Sequence, residues 1–191
     1  MIDKSHRTWN RTDAYMPDTP RLTTCFALTF LTTIEIQHVH QKFMQLAGEV
    51  TDFKTQVITS AQVSSIPAIQ VNPFKDQICK VFSWNKEGLF SFDEFLEMMS
   101  VFSENASLSV KADYAFRIYD LNGNDYIDQE DIRNIILRLT YGMMDETNIS
   151  VLIHYILDEG DLNNDGMLSF SEFKNVIERS PDFQKSFTIR F

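Results

Sequence analysis

Apolar residues recur at helical spacing along most of this chain, interrupted by short polar stretches. Ile36, Val39, His40, Phe43 and Met44 form one stripe. It follows Thr32-Thr33-Ile34-Glu35, where Thr32 and Glu35 stand at capping-box spacing. A polar stretch over 48–55 ends that helix. A second piece is expected over 60–69, weakened by Pro67. Asn72-Pro73 reads as an N-cap with proline at the first helical position. Phe74, Ile78, Val81 and Phe82 then line one face. Further helices are expected over 92–102, 110–119, 129–139, 146–159 and 170–179, the last stopped by Ser180-Pro181. Phe183, Phe187 and Phe191 follow four residues apart, so a helical tail would carry them on one side. Residues 1–28 show little periodicity and hold Pro17 and Pro20, so they are expected to be a disordered extension. No segment reads as β-rich. The fold expected is all-α, with helices in pairs joined by short polar loops, a layout that calls for a repeat.

The clearest repeat is Asp161-Leu162-Asn163-Asn164-Asp165-Gly166-Met167-Leu168-Ser169-Phe170-Ser171-Glu172. It fits the twelve-residue EF-hand loop at every ligand position. Asp161, Asn163 and Asp165 supply side-chain oxygens at positions 1, 3 and 5. Gly166 permits the sharp turn at 6. Met167 offers a carbonyl at 7, and Ser169 can act at 9. Glu172 at 12 is long enough to give both carboxylate oxygens. A hard cation such as Ca2+ takes about 6–8 oxygens, and this loop gathers them from contiguous residues.

A second copy begins at Asp120 and uses Asp120, Asn122, Asn124, the Tyr126 carbonyl, Asp128 and Asp131. It departs from the pattern at position 6, where Asp125 replaces glycine, and at position 12, where Asp131 is one methylene shorter than Glu. A shorter carboxylate tends to bind through one oxygen, which lowers coordination toward six and admits Mg2+ as well as Ca2+. A third copy, 83–94, keeps Gly88 and Glu94 but begins with Ser83 in place of Asp, with Asn85 and Glu87 at positions 3 and 5. It is expected to be a pairing loop without metal. A fourth, over 51–62, has no ligand set. Four helix–loop–helix units in two pairs result, the first two degenerate. The divisions expected are an N-terminal pair over 29–103 without competence for metal, a metal-binding pair over 104–180, and a tail over 181–191.

Charge agrees with this arrangement. The formal net charge is -10, from 17 Lys and Arg against 27 Asp and Glu. Residues 1–95 carry a net charge of -1 and residues 96–191 a net charge of -9. Eight acids and no bases lie in the two complete loops, so outside them the net charge is only -2. The acidity therefore marks the metal loops, and it disfavours nucleic-acid binding. No apolar run approaches the roughly 18 residues of a membrane span. Cys25 and Cys79 make no disulfide framework, and the sequence reads as cytoplasmic. The four His are scattered, and no phosphate loop or nucleophile motif is present, so no enzyme is expected.

Five stretches resemble the calcium- and integrin-binding proteins, relatives of the calcineurin B subunit. They are Leu28-Thr29-Phe30-Leu31-Thr32; Asn72-Pro73-Phe74 with Ile78-Cys79-Lys80-Val81-Phe82-Ser83; Ser100-Val101-Phe102-Ser103; Tyr114-Ala115-Phe116-Arg117-Ile118-Tyr119-Asp120; and Ser180-Pro181-Asp182-Phe183 with Ser186-Phe187. The likeness covers about residues 28–191. It implies a Ca2+- and Mg2+-responsive adaptor that grips a helical segment, such as an integrin α cytoplasmic tail. It also implies that a loop with Asp at position 12, here Asp131, tolerates Mg2+. Many members begin Met-Gly and are acylated, whereas residue 2 here is Ile2, so no N-myristoylation is expected on this chain.

With 16 Phe and 8 Met, the chain has material for an adaptable apolar groove that would receive an amphipathic partner helix. Phe95, Met98, Met99, Phe102, Phe116, Leu152, Ile156, Phe173 and Ile177 are the candidates to line it, with a core role as the alternative for each. Phe183, Phe187 and Phe191 could occupy the same groove until a partner displaces them, or form a permanently docked helix. The competing functional readings are a passive calcium buffer and a constitutive regulatory subunit of the calcineurin-B kind.

Overall fold

A computed structural model describes residues 29–48, 56–84, 87–180 and 182–189. The expected extension, the start of the first loop, Asn85 and Phe191 lie outside these. Among the described residues there are ten helices and two very short strands.

Helix α1 (Thr33–Ala47) opens on the expected box: the Thr32 hydroxyl accepts from the Glu35 N–H, and Glu35 Oε2 accepts from the Thr32 N–H at 2.7 Å. It buries Ile36, Val39 and Phe43 and stops at Gly48, whose φ of 74° is the left-handed conformation that glycine adopts without strain. The helix expected over 60–69 is two pieces, α2 (Ser60–Ser64) and α3 (Pro67–Gln70). Pro67 forces Ile66 into extended backbone, φ -62° and ψ 124°, and the chain must turn there. Helix α4 (Lys75–Phe82) starts two residues later than Asn72-Pro73 suggests. Asn72 Oδ1 accepts from the Phe74 N–H at 2.8 Å, closing a turn around Pro73 before the helix begins. The remaining helices fall close to expectation: α5 (Phe92–Val101), α6 (Leu108–Tyr119), α7 (Gln129–Leu139), α8 (Glu146–Gly160) and α9 (Phe170–Glu178). The tail forms only one turn, α10 (Phe183–Ser186).

Two pairings tie the four loops together. Strand β1 (Ile58–Thr59) runs antiparallel to β2 (Leu89–Phe90), with Ile58 opposite Phe90. In the second half, Ile127 and Leu168 exchange both backbone hydrogen bonds, at 3.0 and 2.8 Å. All four residues occupy position 8 of their loops. All are buried, because each pair closes the floor between two helix pairs. The fourth repeat, barely legible in sequence, is thereby placed in register with the other three.

The core has two centres. The larger gathers Ile36, Phe43, Phe82, Phe90, Phe95, Met98, Met99 and Phe102 with Tyr114 and Ile118. The smaller gathers Ala115, Phe116, Ile127, Ile132, Ile136, Ile149, Leu168 and Phe173. Helix α6 belongs to both, one face to each, and Tyr119 and Phe187 pack against both. Phe82 stacks on Tyr114 with ring centroids 4.7 Å apart. Each such buried Phe or Ile stabilises the fold by about 1.5–3 kcal/mol. Across the surface, Arg138 on α7 grips Asp76 on α4 through two hydrogen bonds of 2.6 and 2.8 Å. Among the described residues no helix is long and apolar enough to cross a membrane.

Candidate metal centre

Each loop is drawn into shape by its own carboxylates. In 120–131, Asp120 Oδ1 accepts from the Gly123 and Asn124 N–H groups at 2.7 and 3.1 Å, and Oδ2 accepts from the Asp125 N–H at 3.0 Å. Asn122 and Asn124 both donate their side-chain amides to Asp128 Oδ2, at 2.9 and 3.0 Å, so positions 3, 5 and 9 face one point. In 161–172, Asp161 accepts from the Asp165 and Gly166 N–H groups at 3.2 and 2.8 Å. Asn163 donates to Asp165 at 2.9 Å, joining positions 3 and 5. The turn at position 6 has φ 84° at Gly166 and φ 67° at Asp125. The aspartate thus adopts the glycine conformation, as short polar side chains can.

Position 12 acts the same way in both loops. Asp131 Oδ1 accepts from the Leu121 N–H at 3.0 Å and Oδ2 from the Asp128 N–H at 3.2 Å. Glu172 Oε1 accepts from the Leu162 N–H at 3.0 Å, and Oε2 from the Ser169 N–H at 2.9 Å and hydroxyl at 2.5 Å. Each residue spans its loop from position 2 to position 9 while also standing third in the exit helix as half of a capping box. The degenerate loop keeps this device. Glu94 accepts from the Trp84 N–H at 2.8 Å and the Ser91 N–H at 2.7 Å. Even 51–62 retains part of it: Gln62 caps Thr59 in the same box. Capping boxes at positions 9 and 12 therefore recur in all four units. This is a sequence signal, Thr/Ser/Asp followed three residues later by Gln/Glu/Asp, that ligand counting alone passes over.

The electrostatics suit a cation. The buried acids among the described residues are Asp120, Asp131 and Glu172, at position 1 or 12 of a loop. None of the ion pairs among the described residues involves them. Burial raises the Asp131 carboxyl above its ordinary range. Burial also opposes charge on Asp128, but donors from Asp131, Asn122, Asn124 and Glu130 outweigh it and hold that carboxyl low. The Ser169 hydroxyl and N–H hold Glu172 low as well. Buried carboxyl oxygens with no protein cation beside them among the described residues fit a hard divalent ion. Among the described residues no three His, Cys, Asp or Glu side chains form an ion cage by themselves.

Of the candidate groove residues, Phe95, Met98, Met99, Phe102, Phe116 and Phe173 are buried, and Ile177 is partly buried against the smaller core. Leu152 and Ile156 on α8 are exposed. The tail lies across the meeting point of the two cores. Phe187 packs on Phe102, centroids 4.9 Å apart, and on Phe183 at 5.5 Å. The Ile189 N–H donates to the Phe102 carbonyl at 2.9 Å. Lys111, a residue that hydrophobic periodicity does not single out, is wholly buried on α6. Its ammonium donates to the Phe187 carbonyl, the Gln184 carbonyl and the Thr188 hydroxyl at 2.7, 3.2 and 2.6 Å.

Comparison with known proteins agrees with the repeat. Residues 110–178 match a family model described as an EF-hand domain pair. Calcium and integrin-binding family member 2 of Ovis aries is 36% identical over 167 residues, covering 85% of this chain and 95% of that protein. Its Homo sapiens counterpart is also 36% identical, over 85% of this chain and 89% of that protein. Calcium and integrin-binding family member 3 of Homo sapiens is 37% identical over the same shares.

Proposed function

The chain belongs to the calcium and integrin-binding family, and from that membership we propose that it is a Ca2+- and Mg2+-responsive adaptor for a helical protein segment. It is a calcium-binding regulatory EF-hand protein and no enzyme. Within the family, we read residues 62–67 and 167–173 as similar to those of the fourth member.

The division of labour follows from the loops. Residues 29–103 are the pair without ion ligands, in which Glu94 and Gln62 keep the position-12 cap among the described residues. Residues 104–180 form the pair that takes ions. In 161–172, Asp161, Asn163, Asp165, Met167, Ser169 and Glu172 hold Ca2+. In 120–131, Asp120, Asn122, Asn124, Tyr126, Asp128 and Asp131 hold Mg2+ or Ca2+, because Asp131 reaches less far than Glu. The observation that carries this reading is that the buried acids among the described residues, Asp120, Asp131 and Glu172, stand at positions 1 and 12 of these two loops outside any ion pair among the described residues, the position-12 carboxylate also capping the exit helix. Any pull on that carboxylate is passed directly to the exit helix it caps.

Opening of the helix pair would uncover apolar side chains now in the core, among them Phe116, Phe173 and Ile177, beside the exposed Leu152 and Ile156. An amphipathic helix, such as an integrin α cytoplasmic tail or another membrane protein's cytoplasmic segment, would lay its apolar face there. The tail residues Phe183 and Phe187 already cover part of this surface and would be displaced.

Calorimetric Ca2+ titration, with and without Mg2+, tests the sites. Two sites are expected, one of them competed by Mg2+, and four would overturn the assignment. Binding of an apolar dye should rise with Ca2+. A flat response would favour a passive buffer over an adaptor.

A further inference from the structure

Lys111 bears on the kind of partner the tail gives way to, on the reading above that the tail is displaceable. A buried ammonium needs acceptors, and among the described residues this one takes all of its hydrogen bonds from the tail: two carbonyls and one hydroxyl. Among the described residues no carboxylate lies within ion-pair distance of it. Burial lowers its pKa, against the charge of the Glu104 carboxylate, which acts from beyond hydrogen-bond reach and raises it. The tail is pinned around it by Gln184 donating to the Ala106 carbonyl at 3.4 Å and Ile189 donating to the Phe102 carbonyl at 2.9 Å.

A helix that brought only apolar side chains would strip three acceptors from a cation sunk between two cores. Such a helix could not compete with the tail. A carboxylate could, because it sets a full opposite charge against the ammonium where the tail's two carbonyls and one hydroxyl offer only dipoles. The surroundings sharpen the choice. Outside the two metal loops residues 96–191 carry a net charge of only -1, so an acid on the partner meets little repulsion there and is attracted at the point beneath the tail. We propose that the partner helix which displaces the tail carries a carboxylate that pairs with Lys111 and sets the helix's register in the groove.

The test uses the full chain with Ca2+ and two labelled synthetic helices of Leu, Ala and Lys. One carries a single Glu in its last turn and the other Gln at that place. The Glu helix should bind at least ten-fold more tightly by fluorescence anisotropy. Lys111→Met should abolish the difference and leave the two alike. Thr188→Val removes one tail acceptor without touching the groove, and it should tighten the Glu helix several-fold while leaving the fold intact. Equal binding of the two helices to the unaltered chain, or a preference that survives Lys111→Met, would overturn the inference while leaving the adaptor reading in place. Binding of neither helix would overturn the adaptor reading and this inference with it.

Discussion

Replacing Glu172 by Gln tests the metal assignment with little disturbance of the fold. The side chain keeps its length, and one of its two oxygens becomes an amide NH2. Glu172 now serves three donors: the Leu162 N–H, the Ser169 N–H and the Ser169 hydroxyl. Gln can keep one carbonyl acceptor on Ser169 and so preserve the helix cap. The chain itself shows that this works, since Gln62 Oε1 accepts from the Thr59 N–H at 2.7 Å in the corresponding position of the first loop. The stability change should therefore stay within about 1 kcal/mol. The ion loses far more. Loop 161–172 carries Asp161, Asp165 and Glu172, so one of three charges goes, together with one of the two oxygens that only Glu172 can give. A loss of about 100-fold in Ca2+ affinity is expected, or about 3 kcal/mol. Calorimetry reads it directly, with site 120–131 as the internal reference and circular dichroism as the check on helix content. Two sites of unchanged affinity in Glu172→Gln would refute the ligand set.

Three further outcomes follow. Asp131→Glu should raise the preference of site 120–131 for Ca2+ over Mg2+, read as a weaker Mg2+ effect in competition titrations; an unaltered preference would mean that reach at position 12 does not govern this site. Phe82→Ala, which removes a wholly buried ring stacked on Tyr114, should cost about 3–5 kcal/mol in urea unfolding, and a loss below about 1 kcal/mol would contradict its place between α4 and α6. Arg138 hydrogen-bonds Asp76 and lowers its pKa, so the folded carboxyl binds its proton at lower pH than the unfolded one. That contribution is present above the unfolded value and is lost as pH falls through the folded one. The pair is half-exposed, so Arg138→Ala should cost about 0.2–1 kcal/mol near pH 7, and the gap between variant and parent should close in acid; a gap that widens in acid would reverse the sign argued here.

Much of this protein is written locally. Amphipathic stripes such as Ile36, Val39 and Phe43 mark helices whose faces turn out buried, and the ends of α7 and α9 fall within a residue of expectation. The loops are legible because cation ligation and the sharp turn at position 6 each demand particular residue types at fixed spacing. Local rules fail where two of them compete. Pro67 divides a helix, and the Asn72 side chain closes a turn that displaces the start of α4.

The tertiary structure decides what spacing cannot. Whether Phe95, Met98 and Phe102 face a groove or a core depends on what packs over them, and in the folded chain they are core. The first loop has no ligand set to recognise, and the opposition of Ile58 and Phe90 is what joins it to the next. Lys111 looks in sequence like an ordinary exposed lysine on a helix. It becomes the anchor of the tail because residues 73 to 77 positions away fold back onto it. Sequence determined the helices, the repeat and the oxygens offered to an ion, since those follow from neighbours along the chain. Which faces meet, which loops pair and which charge is buried follow from contacts between distant segments, and those exist only once the chain has folded.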